Sequence, residues 1–190
     1  MKTHRAIRFV MVATFLLMQI AFLTIIIKDK YETEAFSTII LTLLIALTML
    51  IGYRYLDLHH EEYSYENILV VMWVPIGAVV CYIMSVYGGL GSVLSAGITG
   101  TLASFLPNLN KESDYLKQLP ASIYCGVFIG MSSVEISPSI GFVIAAGIFA
   151  SIFLMLSKNL FLGIGGKLGS VAFVGVVIVS LINTLSKSLA

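Results

Sequence analysis

Between Phe9 and Ile27 the chain reads FVMVATFLLMQIAFLTIII, without one charged side chain. At 1.5 Å rise per residue, a helix of about 20 such residues spans roughly 30 Å, the hydrocarbon thickness of a bilayer. In that solvent the backbone must satisfy its own hydrogen bonds, which a helix does within a single segment. Comparable apolar blocks, about 17 to 23 residues each, recur to the end of the chain. They predict helices near 8–27, 36–56, 67–86, 89–106, 120–136, 139–157 and 164–186. The expected fold is all-α: a polytopic membrane bundle of about seven transmembrane helices.

Composition removes the soluble alternative. The 190 residues are 58% hydrophobic and 11% charged, with mean hydropathy +1.00, so 11 basic and 10 acidic side chains cannot coat a globule of this size. A net charge of +1 and the lack of a basic stripe with interleaved aromatics exclude nucleic acid as a partner. Cys81 and Cys125 stand far apart inside apolar runs and read as small packing residues. The N-terminal MKTHRAIR and its long apolar stretch resemble a signal peptide, but the stretch is too long and no small-x-small site follows. It is expected to be a retained span. The expected partners are membrane lipids, further copies of the chain in a homo-oligomer, and a small solute or ion.

Connections are short and carry most of the charge. With the N-terminus inside, Lys2, Arg5, Arg8, Arg54, Lys111, Lys117, Lys158 and Lys167 fall on the cytoplasmic side, against Lys28, Lys30 and Lys187 outside. This bias predicts an inner (plasma) membrane protein with a cytoplasmic N-terminus and an external C-terminus. Pro107, Pro120 and Pro138 are expected at span edges, and Pro75, in MWVPIG, inside the third span as a kink.

A glycine-rich tetrad occurs twice. Leu90-Gly91-Ser92-Val93 realigns with Leu168-Gly169-Ser170-Val171, and the same register superposes Ile51-Gly52 on Ile129-Gly130. Spans two to four then match spans five to seven, and an odd number of crossings inverts the second copy. The expectation is a 3+3 inverted repeat: an extra N-terminal helix and loop over 1–35, repeat one over 36–107 and repeat two over 119–187. The glycines have two readings. Small residues four apart, as in Ser92, Ala96, Gly100 and Ser104, let helices approach closely in lipid. Alternatively GGLGS and GGKLGS begin helices, presenting free N–H groups and hydroxyls to a polar pathway.

Chemistry is sparse. GIGGKLGS fails as a phosphate-binding P-loop, because Phe161 occupies the first glycine position and Leu168 follows the lysine. Lys167 at a helix start opposes its own helix dipole, a conflict that an anion or a headgroup interface would relieve. Glu135, with Ser132, Ser133 and Ser137, marks a prospective outer vestibule. Gln19 and Asn183 are lone amides suited to interhelical bonds. His59-His60-Glu61-Glu62 suggests metal ligation, but adjacent side chains do not converge on one ion, and a solvated segment is the simpler reading. No catalytic pairing is visible, so no enzyme and no cofactor are expected. No ionisable group lies at mid-membrane depth, which argues against proton coupling. The sequence thus points to a small channel or transporter whose path is lined by Gly89, Gly91, Ser92, Gly130, Ser132, Ser133, Glu135, Gly166, Lys167, Gly169 and Ser170. The competing class is a non-transporting membrane subunit that docks partners through small-residue faces.

Overall fold

A computed structural model describes residues 2–32, 36–55, 64–160 and 165–189 of the chain. The His59-His60-Glu61-Glu62 run lies outside the described residues. Among those described, regular structure is helical throughout, in seven main helices: α1 (Lys2–Glu32), α2 (Phe36–Tyr55), α3 (Ile68–Tyr87), α4 (Ser92–Ser104), α5 (Asp114–Gly130), α6 (Ile140–Leu156) and α7 (Lys167–Leu189), with one further turn of helix at Leu106–Leu109. Three apolar stretches are long enough to cross a membrane by length and composition: Phe9–Tyr31 in α1, Ile68–Tyr87 in α3 and Lys167–Ser188 in α7. The apolar part of α2, Phe36–Thr48, and the whole of α6 are shorter.

The chain forms two compact units. In the first, α1 and α2 pack on each other. Hydroxyls in these apolar helices satisfy themselves: Thr14, Thr24 and Thr42 each donate to the carbonyl four residues earlier, at 2.7–2.8 Å. The second unit holds α3 to α7, and α5 packs against each of the other four. Its apolar centre joins Val70 and Cys81 of α3, Ala103 of α4, and Leu119, Ile123 and Val127 of α5.

Glycine sets the spacing of this unit. A Cβ at Gly77 of α3 would come within 2.7 Å of the Ile123 carbonyl oxygen of α5, and one at Gly126 would run into the Val74 carbonyl. At Gly130 it would meet Ala78 O at 2.5 Å. The contacts advance together along both helices, so α3 and α5 run parallel with their backbones in contact. Gly175 of α7 likewise sits on Ala146 and Ala150 of α6, and Gly100 of α4 lies under the Tyr124 ring. The Ser92–Ala96–Gly100–Ser104 stripe is therefore, through Ala96 and Gly100, a packing stripe.

Prolines fall differently from expectation in one case. Ser113 caps α5 by accepting from Leu116 N, so the helix starts before Pro120 and carries it inside. That helix ends at Gly130 rather than near 136, because a turn follows in which Ser133 O accepts from Ile136 N and Ser137 N. Pro75 lies within α3 as expected, and the helical run breaks at Met72, about one turn earlier. A proline cannot donate to the carbonyl four residues before it, here that of Val71. Ser151 of α6 supplies the missing donor: its Oγ lies 2.9 Å from Val71 O, sharing its proton with Gly147 O at 2.8 Å. Gly147 makes room for the proline ring, since a Cβ there would lie 2.7 Å from Pro75 Cα.

These contacts predict a sharp contrast between glycines. Gly126→Ala should lower stability by about 2–3 kcal/mol, because the intruding methyl meets backbone that cannot rotate away. Gly97→Ala, with open space at its Cβ, should be neutral or stabilising by up to about 1 kcal/mol through helix propensity. Thermal unfolding of the purified protein in detergent measures both; equal effects would show that close approach does not hold the unit together.

Candidate functional site

The residues singled out from sequence gather at the two ends of the α3–α7 unit. Gly166, Lys167, Gly169 and Ser170 lie at the end where α3, α5 and α7 begin. Gly89, Gly91, Ser92, Gly130, Ser132, Ser133 and Glu135 lie where α3 and α5 finish. The two ends have different chemistry.

At the first end the charges are internally matched. Gly166, at φ +86°, turns the chain into α7, and Ser170 N donates to Gly166 O at 2.9 Å. Half-buried Lys167 then reaches back across the preceding helix end: its Nζ donates to the carbonyls of Ser157, the C-cap of α6, and Lys158, the latter at 2.9 Å. The cation thus sits at the negative end of α6, which relieves its conflict with the start of α7 without a bound anion. Lys158 Nζ pairs with Glu66 Oε1 at 3.1 Å, and the Glu66 N–H donates to Met155 O at 3.1 Å. This group ties the starts of α3 and α7 to the end of α6. Gly169 is half-buried with nothing near its Cβ.

The far end is polar, with Glu135 of the α5–α6 turn as its exposed carboxylate. The last five residues of α3, Ile83–Tyr87, widen into a π-helical turn, a form that recurs at functional sites. Gly89 (φ +66°) and Gly91 (φ +76°) then reverse the chain into α4, and no side chain caps that helix. Both glycines are exposed with open space around them. Gly91 before α4 and Gly166 before α7 have positive φ, whereas Gly169, the sequence match of Gly91, lies within the first turn of α7. Buried Tyr82 donates its hydroxyl to Ser137 O at 2.8 Å, fastening the α5–α6 turn to α3. Thr99 of α4 donates to Met84 Sδ at 3.7 Å. Ser95 and Ser137 are each 0% exposed, and neither Oγ has a hydrogen-bond partner.

The remaining sequence candidates are placed less deeply. Ser92 and Ser132 are half-buried, Ser133 and Glu135 are exposed in the turn, and Gly130 is packed against α3. Gln19 and Asn183 are half-buried in α1 and α7. Among the described residues no three His, Cys, Asp or Glu side chains are grouped to hold a metal. Sequence reasoning missed Tyr82, Ser95 and Thr99. The signal was present for two of them, since Ser92, Ser95 and Thr99 fall at i, i+3 and i+7 on one helix face.

Comparison with known proteins finds no matching family, no similar curated protein and no similar solved structure.

The Lys167 geometry generates a stability prediction. Lys167→Met leaves helix-end carbonyls without their donor and should cost about 1–3 kcal/mol, whereas Lys167→Arg should retain most of the stability. Lys158→Gln should cost less than about 1 kcal/mol, because its ion pair is partly solvated. Unfolding in detergent distinguishes the three; an unaffected Lys167→Met protein would remove the clamp.

Proposed function

We propose that this chain is a seven-span integral protein of an inner (plasma) membrane that assembles as a homo-oligomer. Its α3–α7 unit gives a small solute or ion a path that opens at the glycine- and serine-bounded helix starts. One observation carries this reading: Ser95 and Ser137 keep buried, unpartnered hydroxyls at the same end of the unit. A buried hydroxyl without a partner costs about 1–3 kcal/mol. Elsewhere in the chain hydroxyls avoid that cost by bonding their own helix, as Thr42 and Thr184 do. Retaining two that do not is understandable where a passing solute or water completes them. An inverted repeat over 36–107 and 119–187 belongs to this proposal, with Gly91 and Gly166 opening α4 and α7 at opposite ends of the unit.

A specific feature favours the scaffold reading as the second choice. Gly97, Thr101 and Ser104 are exposed on α4 between Leu94, Leu102 and Phe105, a face suited to another helix.

Reporter fusions should place the N-terminus in the cytoplasm and the C-terminus outside; both termini on one side would exclude seven spans. Reconstituted into liposomes, the protein should pass at least one of Na⁺, Cl⁻, glycerol or urea faster than protein-free vesicles. Gly91→Ala, strained by its positive φ at about 1–3 kcal/mol, should reduce that flux several-fold while Gly169→Ala does not. No flux for any of the four leaves the scaffold.

A further inference from the structure

Ser92, Ser95 and Thr99 share one face of α4, and Thr99 fixes where that face points. Its Oγ1 donates to Met84 Sδ of α3 at 3.7 Å, so the face is turned toward the π-helical end of α3. A thioether is a weak acceptor, and that proton is only loosely engaged. One turn nearer the opening, Ser95 is 0% exposed and its Oγ has no partner. Half-buried Ser92 follows beside the open glycine turn. The hydroxyls therefore descend from that turn for about 10 Å along the helix. They stop at Ala103, which is 3% exposed and belongs to the apolar cluster with Val70 and Ile123.

We infer that this face of α4 binds a small uncharged solute that both donates and accepts hydrogen bonds, of the polyol or urea-like amide class, with Ser95 Oγ and Thr99 Oγ1 as its contacts. The inference rests on the transport reading and names the substrate class of that same path. Hydroxyls present both a donor and acceptor lone pairs, which matches a solute of the same dual character. The face carries no fixed charge to offset an ion. At this end of α3–α6 the carboxylate is Glu135, exposed in the α5–α6 turn. A desolvated cation entering along α4 would also meet the positive end of that helix. A neutral dipole can turn its carbonyl or hydroxyl oxygen toward those N–H groups.

The test uses the full chain in liposomes, with glycerol and urea entry followed by light scattering and Na⁺ and Cl⁻ by tracer. Glycerol or urea should enter faster than in protein-free vesicles, with no gain for either ion. Ser95→Ala and Thr99→Val should each slow entry about tenfold, the weight of one hydrogen bond, and Thr99→Ser should stay within about twofold of the unaltered protein. The unfolding temperature of Ser95→Ala should match or exceed that of the unaltered protein, because no partner is lost. Entry unchanged in both hydroxyl deletions, or ions carried in place of solutes, overturns the inference while leaving transport intact. No passage of any of the four probes overturns transport, and this inference with it.

Discussion

Lipid is as apolar as leucine, so burying leucine cannot draw one span onto another. What remains is contact, and in the α3–α7 unit contact means backbone on backbone. Gly77, Gly126 and Gly130 bring α3 and α5 together without intervening side chains, and Gly147 and Gly175 do the same for α6 against α3 and α7. Every other property of the unit is built on that spacing. α4 packs on the α3–α5 pair through Ala96 and Gly100, and at the helix ends the glycines are of the other, chain-reversing kind.

Close approach excludes water, and each polar atom in the unit then needs a partner from the protein. The freed Val71 carbonyl takes Ser151, and the carbonyls ending α6 take Lys167. The Ser137 carbonyl takes Tyr82. Against that pattern the hydroxyls of Ser95 and Ser137 stand out, because the same packing that serves their neighbours leaves them unserved. One end of the unit is thus tied by Lys158, Glu66 and Lys167, and the other is bordered by unmatched hydroxyls.

Helix number and placement were legible because apolar runs of membrane length admit little else. The run boundaries follow the observed helices closely at α2, α3 and α6. They fail at α5, where Pro120 suggested a start; a capping serine at position 113 outweighs the proline by satisfying the N–H groups of the first turn. The glycine tetrads stand at the openings of α4 and α7. Sequence identity matched Gly91 to Gly169, whereas the left-handed backbone belongs to Gly91 and Gly166. The role of Lys167 was hidden, since its partners are main-chain carbonyls that no side-chain pattern announces. Tyr82 was hidden for the same reason, and Ser95 because a lone serine in an apolar helix ordinarily bonds its own backbone.

Ser151 stands 80 residues beyond the carbonyl it serves. During synthesis α3 therefore emerges with one backbone acceptor vacant, and the hydroxyl that fills it is translated only after α4, α5 and most of α6. Until then the Val71 carbonyl needs another donor, such as water. The proline thus makes the start of α3 depend on a hydroxyl from α6, the fourth helix of the unit.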